Sequence, residues 1–110
     1  MDLIKAILVT ATIYHATQSQ TDSTPSRTAT NFKIDMENPA IHRIIAVSRD
    51  LEAKGFVMNS TVKISNAGDM DGTWVIRDRM NKRWTNRIDF LVDLSLKAGK
   101  WNDVRIELIN

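Results

Sequence analysis

Apolar side chains recur at every second position in one short run after another of this chain, and that period of two commits it to β-strands. Ile7, Val9, Ala11 and Ile13 alternate through a first segment over 7–15 that is rich in Ile, Val, Thr and Tyr. Val62 and Ile64 alternate with Lys63 and Ser65, turn residues fill 67–72, and Trp74 and Ile76 resume the pattern, which together read as a hairpin. Over 87–92, Ile88, Phe90 and Val92 share one face while Arg87, Asp89 and Leu91 share the other. Val104, Ile106 and Leu108 supply a closing strand, and 43–48, after a turn at Asn38-Pro39, reads as a short buried strand. Helix is confined to one turn over 50–54 stopped by Gly55, and to a short helix over 93–98 capped by Asp93 and ended by Gly99. Val62, Ile64, Trp74, Ile76, Ile88, Phe90, Val104, Ile106 and Leu108 are expected to form one contiguous core. A strand-rich chain with brief helices and no internal repeat leaves no edges unpaired if it closes on itself, so the expected fold class is mainly β, a small barrel of about six strands.

The 110 residues suffice for one core and one site. The absence of cysteine removes disulfides, thiolate nucleophiles and Cys-based zinc sites. A formal net charge of +2 with 25% charged residues is far from the clustered positive charge of a dedicated nucleic-acid binder. The first nine residues begin like a secretory leader, but Thr10, Thr12, Tyr14 and His15 break the apolar run and no cleavage pattern follows. No stretch approaches the ~20 apolar residues of a membrane span. His15 and His42 lack metal-ligand spacing, so no metal and no cofactor is assigned. Residues 16–31, polar around Pro25, are too long for a tight turn and read as a functional or partly mobile loop.

The stretch Asp78-Arg79-Met80-Asn81-Lys82-Arg83-Trp84-Thr85-Asn86-Arg87-Ile88-Asp89 places two carboxylates at the ends of a basic, aromatic-containing loop. It resembles the three-aspartate domain of bacterial wall-acting proteins, including membrane-bound lytic transglycosylase A, whose loop reads like D-T-G-G-A-I-K-G-N-R-I-D. More loosely, Asp78-Arg79 and Arg87-Ile88-Asp89 resemble the D-R-G and R-I-I-D-L-S segments of rare lipoprotein A barrels. Both families are double-psi β-barrels, so the resemblance implies a single double-psi barrel domain over 1–110. The chain departs from the three-aspartate pattern at Met80-Asn81, where the family has Gly-Gly. It departs again at Ile45-Ala46-Val47-Ser48, where the family reads like I-A-V-D and Asp50 follows two residues later.

The resemblance implies that Asp89 is the catalytic carboxylate, protonating the glycosidic oxygen and then taking the proton of the sugar's 6-hydroxyl, with Asp78 as a site-shaping partner. Such an acid requires a raised pKa, which a partly apolar cleft supplies; Trp84 is a candidate wall, and Arg87 acts in the opposite direction. The competing structural roles are an Arg87–Asp89 ion pair and a cap in which Asp78 accepts backbone hydrogen bonds. Tyr14, Thr28 in a segment similar to the family's T-A-S-G, Ser48, Trp84, Asn86 and Arg87 are the candidate substrate-binding residues. The expected ligand is peptidoglycan or a related glycan. The resemblance sets the protein outside the cytoplasm, in the cell envelope or on a virion, with envelope or virion proteins as further partners. Lytic transglycosylase cleavage, a catalytically silent barrel serving as a structural or wall-binding module, for example in a phage tail, and an expansin-like module all stay open.

Overall fold

In the computed structural model, which describes residues 5–16, 28–30 and 32–109, the alternating runs form strands β1 (Ala6–Tyr14), β2 (Ile44–Val47), β3 (Thr61–Ser65), β4 (Gly72–Arg79), β5 (Arg87–Leu91) and β6 (Lys100–Leu108). They close into a barrel in the order β1-β5-β2-β4-β3-β6. β1 pairs with β5 and β2 with β4 in parallel, and the other four pairings are antiparallel. This mixed six-stranded closure is compatible with a double-psi barrel. Most of the loop expected over 16–31 lies outside the described residues.

Alternation decides the inside of the barrel. Val9 and Ala11, Ile45 and Val47, Val62 and Ile64, Trp74 and Ile76, Ile88 and Phe90, and Val104 and Ile106 all point inward and are buried. Leu108, also expected there, packs against this core while partly exposed. At its centre the Trp74 and Phe90 rings lie 4.7 Å apart, and Trp101 meets Phe90 edge-on at 5.6 Å. Full burial of each such side chain stabilises by roughly 1.5–3 kcal/mol. A second, smaller cluster sits on the outer face of β1, β5 and β2, made of Tyr14, Ala16, Ile34, Ile44, Ala46, Met80 and Leu91 with Phe32 at its edge.

Two elements differ from expectation. Residues 93–98 form no helix, only a turn at 94–95 followed by irregular chain. Leu94 and Leu96, two residues apart, would project from different sides of a helix, and both are exposed, so a helix there would bury no apolar stripe. The Asp93 carboxylate accepts from the Ala40 amide at 3.1 Å instead of capping its own segment. β6 starts at Lys100, earlier than the apolar pattern indicates, because Trp101 and Lys100 pair with Ala11 and Thr12 beyond a bulge in the β1–β6 ladder. Gly99 serves this packing: a Cβ there would stand 2.7 Å from the Trp101 ring.

Candidate functional site

β4 and β5 are not neighbours; β2 lies between them, so the connection from Asp78 to Asp89 must cross the end of β2. Backbone and side-chain hydrogen bonds fix that crossing. The Met80 amide donates to Val47 O at 2.9 Å, and the Ser48 amide donates to Arg87 O at 2.9 Å. Ser48 Oγ accepts from the Arg87 amide at 3.0 Å, and Asp50 Oδ2 accepts from the Asn86 amide at 2.9 Å. Asn86 itself takes a left-handed backbone (φ 51°), a conformation that asparagine tolerates better than most residues. Helix α1 (Arg49–Ala53), the expected single turn, thus forms directly beneath the loop.

The register then assembles the carboxylates. Thr12 stands opposite Asp89 across β1 and β5, Asp89 opposite Ala46 across β5 and β2, and Ala46 opposite Asp78 across β2 and β4. Thr12, Asp89, Ala46 and Asp78 therefore form one row across four strands. Asp78 joins it only because the β2–β4 register shifts between Ile45 and Ala46. Trp74 and Ile76 point into the barrel, so simple alternation would send Asp78 inward as well; one extra residue on β4 turns it to the outer face.

Tyr14, buried two residues beyond Thr12, reaches over this row, and its hydroxyl donates to Asp78 Oδ2 at 3.3 Å. Asp78 Oδ1 accepts from the Ala29 amide at 3.1 Å and the Arg79 amide at 2.9 Å. Thr12 Oγ1 donates to Asp89 Oδ1. Burial raises the Asp89 pKa above the ordinary carboxylate range, and the Asp78 charge adds to the rise; the Thr12 hydrogen bond and the Arg87 charge oppose it without cancelling it. Burial also raises Asp78, against the hydrogen bonds from Arg79, Ala29 and Tyr14. Tyr14 is held well above its usual value, first by burial and then by the charges of Asp78 and Asp89. A site of this kind can hold a carboxylic acid protonated closer to neutrality than a free side chain and offer it to a bound oxygen.

The remaining expected residues divide by position. Thr28 is buried in a turn whose next amide binds Asp78; its hydroxyl accepts from the Phe32 amide at 3.2 Å and lies 2.9 Å from the Thr30 hydroxyl. Ser48 and Asn86 work at the loop crossing rather than in the row. Trp84 is 36% exposed and stacked by two guanidinium groups, Arg87 at 4.3 Å and Arg83 at 4.9 Å from the ring centre. Among the described residues, Arg87 and Asp89 form no ion pair within 4.0 Å, and Arg79 pairs with Glu52 instead. His15 Nε2 donates to Leu96 O at 2.7 Å, and His42 Nε2 accepts from the Asp35 amide at 2.9 Å. Thr12 is the site residue that the sequence reading missed; a threonine on the outward phase of β1, two residues before Tyr14, is its only signal.

Tyr14→Phe is expected to cost about 1 kcal/mol through the lost hydrogen bond and to raise the Asp78 pKa further, since the hydroxyl stabilises the carboxylate. NMR titration of the carboxyl carbons of both aspartates checks this, with the larger change expected at Asp78.

The chain matches no protein-family model, and no curated protein and no solved structure matches it. Among the described residues, no helix is long and apolar enough to cross a membrane.

Proposed function

We propose that the chain binds a peptidoglycan-type glycan across the Thr12, Tyr14, Asp78 and Asp89 face, and that Asp89 serves as acid and then base in lytic transglycosylation. The observation that carries this reading is the row in which two half-buried carboxylates flank Ala46, one of them held by a buried tyrosine hydroxyl. Protonated Asp89 gives its proton to the glycosidic oxygen as the bond from that oxygen to C1 breaks. The resulting carboxylate takes the proton of the 6-hydroxyl while O6 bonds to C1, leaving a 1,6-anhydro end and restoring the acid. The Asp78 charge, held by two amides and Tyr14, favours the positive character that develops at C1. The likeness of the stretch 78–89 to the three-aspartate pattern supports the same assignment. Its setting would be the cell envelope or a virion.

A catalytically silent wall-binding barrel is the second reading, and two observations favour it. Ser48, where the family pattern has an aspartate, is fully buried and cannot ionise; its Oγ holds the Arg87 amide. Met80, where the pattern has glycine, buries its side chain in the cluster that includes Tyr14 and Ala46. Co-sedimentation with purified peptidoglycan tests what both readings share. The protein should pellet with the polymer and be released by soluble glycan fragments; failure to pellet removes both readings.

A further inference from the structure

The loop crossing β2 carries a cationic aromatic surface that the acid–base chemistry does not use. Residues 81–86 are all exposed, and the stretch between Asp78 and Asp89 contains no acidic residue. Arg79 is neutralised by Glu52, but Lys82, Arg83 and Arg87 have no ion pair among the described residues. Arg83 and Arg87 both stack on the Trp84 ring. Each guanidinium carbon lies over the ring, and the exposed Arg83 keeps N–H groups in solvent for a ligand. Arg87 shares the face of β5 with Asp89, two residues away, so this surface continues directly into the carboxylate row.

We propose that Arg83, Trp84 and Arg87, with Lys82 beside them, form an anion subsite that reads a carboxylate carried on the glycan next to the bond presented to Asp89. This inference rests on the glycan-binding reading and names the substrate class within it: acidic rather than neutral glycan. Two guanidinium groups over one exposed indole, with Lys82 next in sequence and no ion pair on any of the three among the described residues, suit one or two carboxylates on a sugar; the net charge of +2 does not suit a long polyanion. The carboxylate has two chemical sources, the ether arm of the sugar itself or a peptide attached to that arm.

Affinities of the full chain for three glycan oligomers of equal length test the assignment: neutral N-acetylglucosamine oligomers, peptide-free oligomers with the free ether-arm carboxylate, and peptide-bearing oligomers. At low ionic strength, at least one acidic oligomer should bind roughly tenfold more tightly than the neutral one, and most of that advantage should vanish near 0.5 M salt, where the Debye length is only about 4 Å. The tighter acidic oligomer identifies the carboxylate source. Arg83→Gln, at an exposed position where no buried contact is lost, should bring the acidic oligomer to within about threefold of the neutral one. Equal, salt-insensitive binding of all three overturns the anion subsite and leaves glycan recognition standing. Absence of binding to any oligomer overturns both. A single-stranded oligonucleotide that binds as tightly as the best glycan also overturns the assignment, because the surface is then a general polyanion site.

Discussion

Replacing Phe90 by alanine is expected to destabilise the protein by about 3–5 kcal/mol, the range for deleting a large aromatic side chain from a core that relaxes only partly. Phe90 is fully buried, packs against Trp74 with the rings tilted by 48° at 4.7 Å and meets Trp101 edge-on at 5.6 Å, so its removal opens the barrel interior at the contact between β4, β5 and β6. The same strand carries Asp89 outward, and a cavity beneath it loosens the row as well. Urea unfolding should give a lower midpoint with the slope unchanged. A loss below about 1 kcal/mol would mean that Phe90 does not lie in the core and that the phase of β5 is reversed.

Asp89→Asn separates proton chemistry from architecture. The amide keeps an oxygen to accept the Thr12 hydrogen bond but cannot cycle a proton, so product release should fall by at least about 10²-fold. Its effect on stability has a definite sign. Burial raises the Asp89 pKa in the folded state, so this group contributes stability below its unfolded pKa and loses it as pH rises through the folded value. Once the pH exceeds the folded-state pKa, the ionised, half-buried carboxylate is a burden that asparagine removes, and the variant should melt at or above the wild-type temperature there. On the acid side of the ordinary carboxylate range the advantage should disappear or reverse. Thermal melts of both proteins at about pH 3 and about pH 7 check this. Unfolding of Asp89→Asn at neutral pH would instead assign Asp89 to a structural carboxylate network.

The barrel was legible because each strand repeats the same alternation, and a half-buried sheet has few other ways to satisfy it. Trp74 and Ile76, Ile88 and Phe90, and Val104 and Ile106 all took the expected inward phase. The helix expected over 93–98 did not form because its signals, a capping aspartate and a terminal glycine, both served other contacts. Asp93 ties down Ala40, and Gly99 makes room for Trp101. In the site, the outward direction of Asp89 followed from the phase of β5. The direction of Asp78 did not, since extending the Trp74 and Ile76 alternation turns it inward. A bulge has no local sequence requirement strong enough to read here, and Arg77, the residue whose insertion reverses the phase, gives no warning. The role of Thr12 depends on the parallel pairing of β1 with β5, a long-range contact that no short segment encodes.

Mass spectrometry of the soluble products from purified peptidoglycan incubated with the wild-type protein bears most directly on the proposal that the paired aspartates form an acid–base site for glycan. Muropeptides ending in 1,6-anhydro sugars, absent when Asp89→Asn is used, are the predicted result. Release of the same products by Asp89→Asn at the wild-type rate would contradict it.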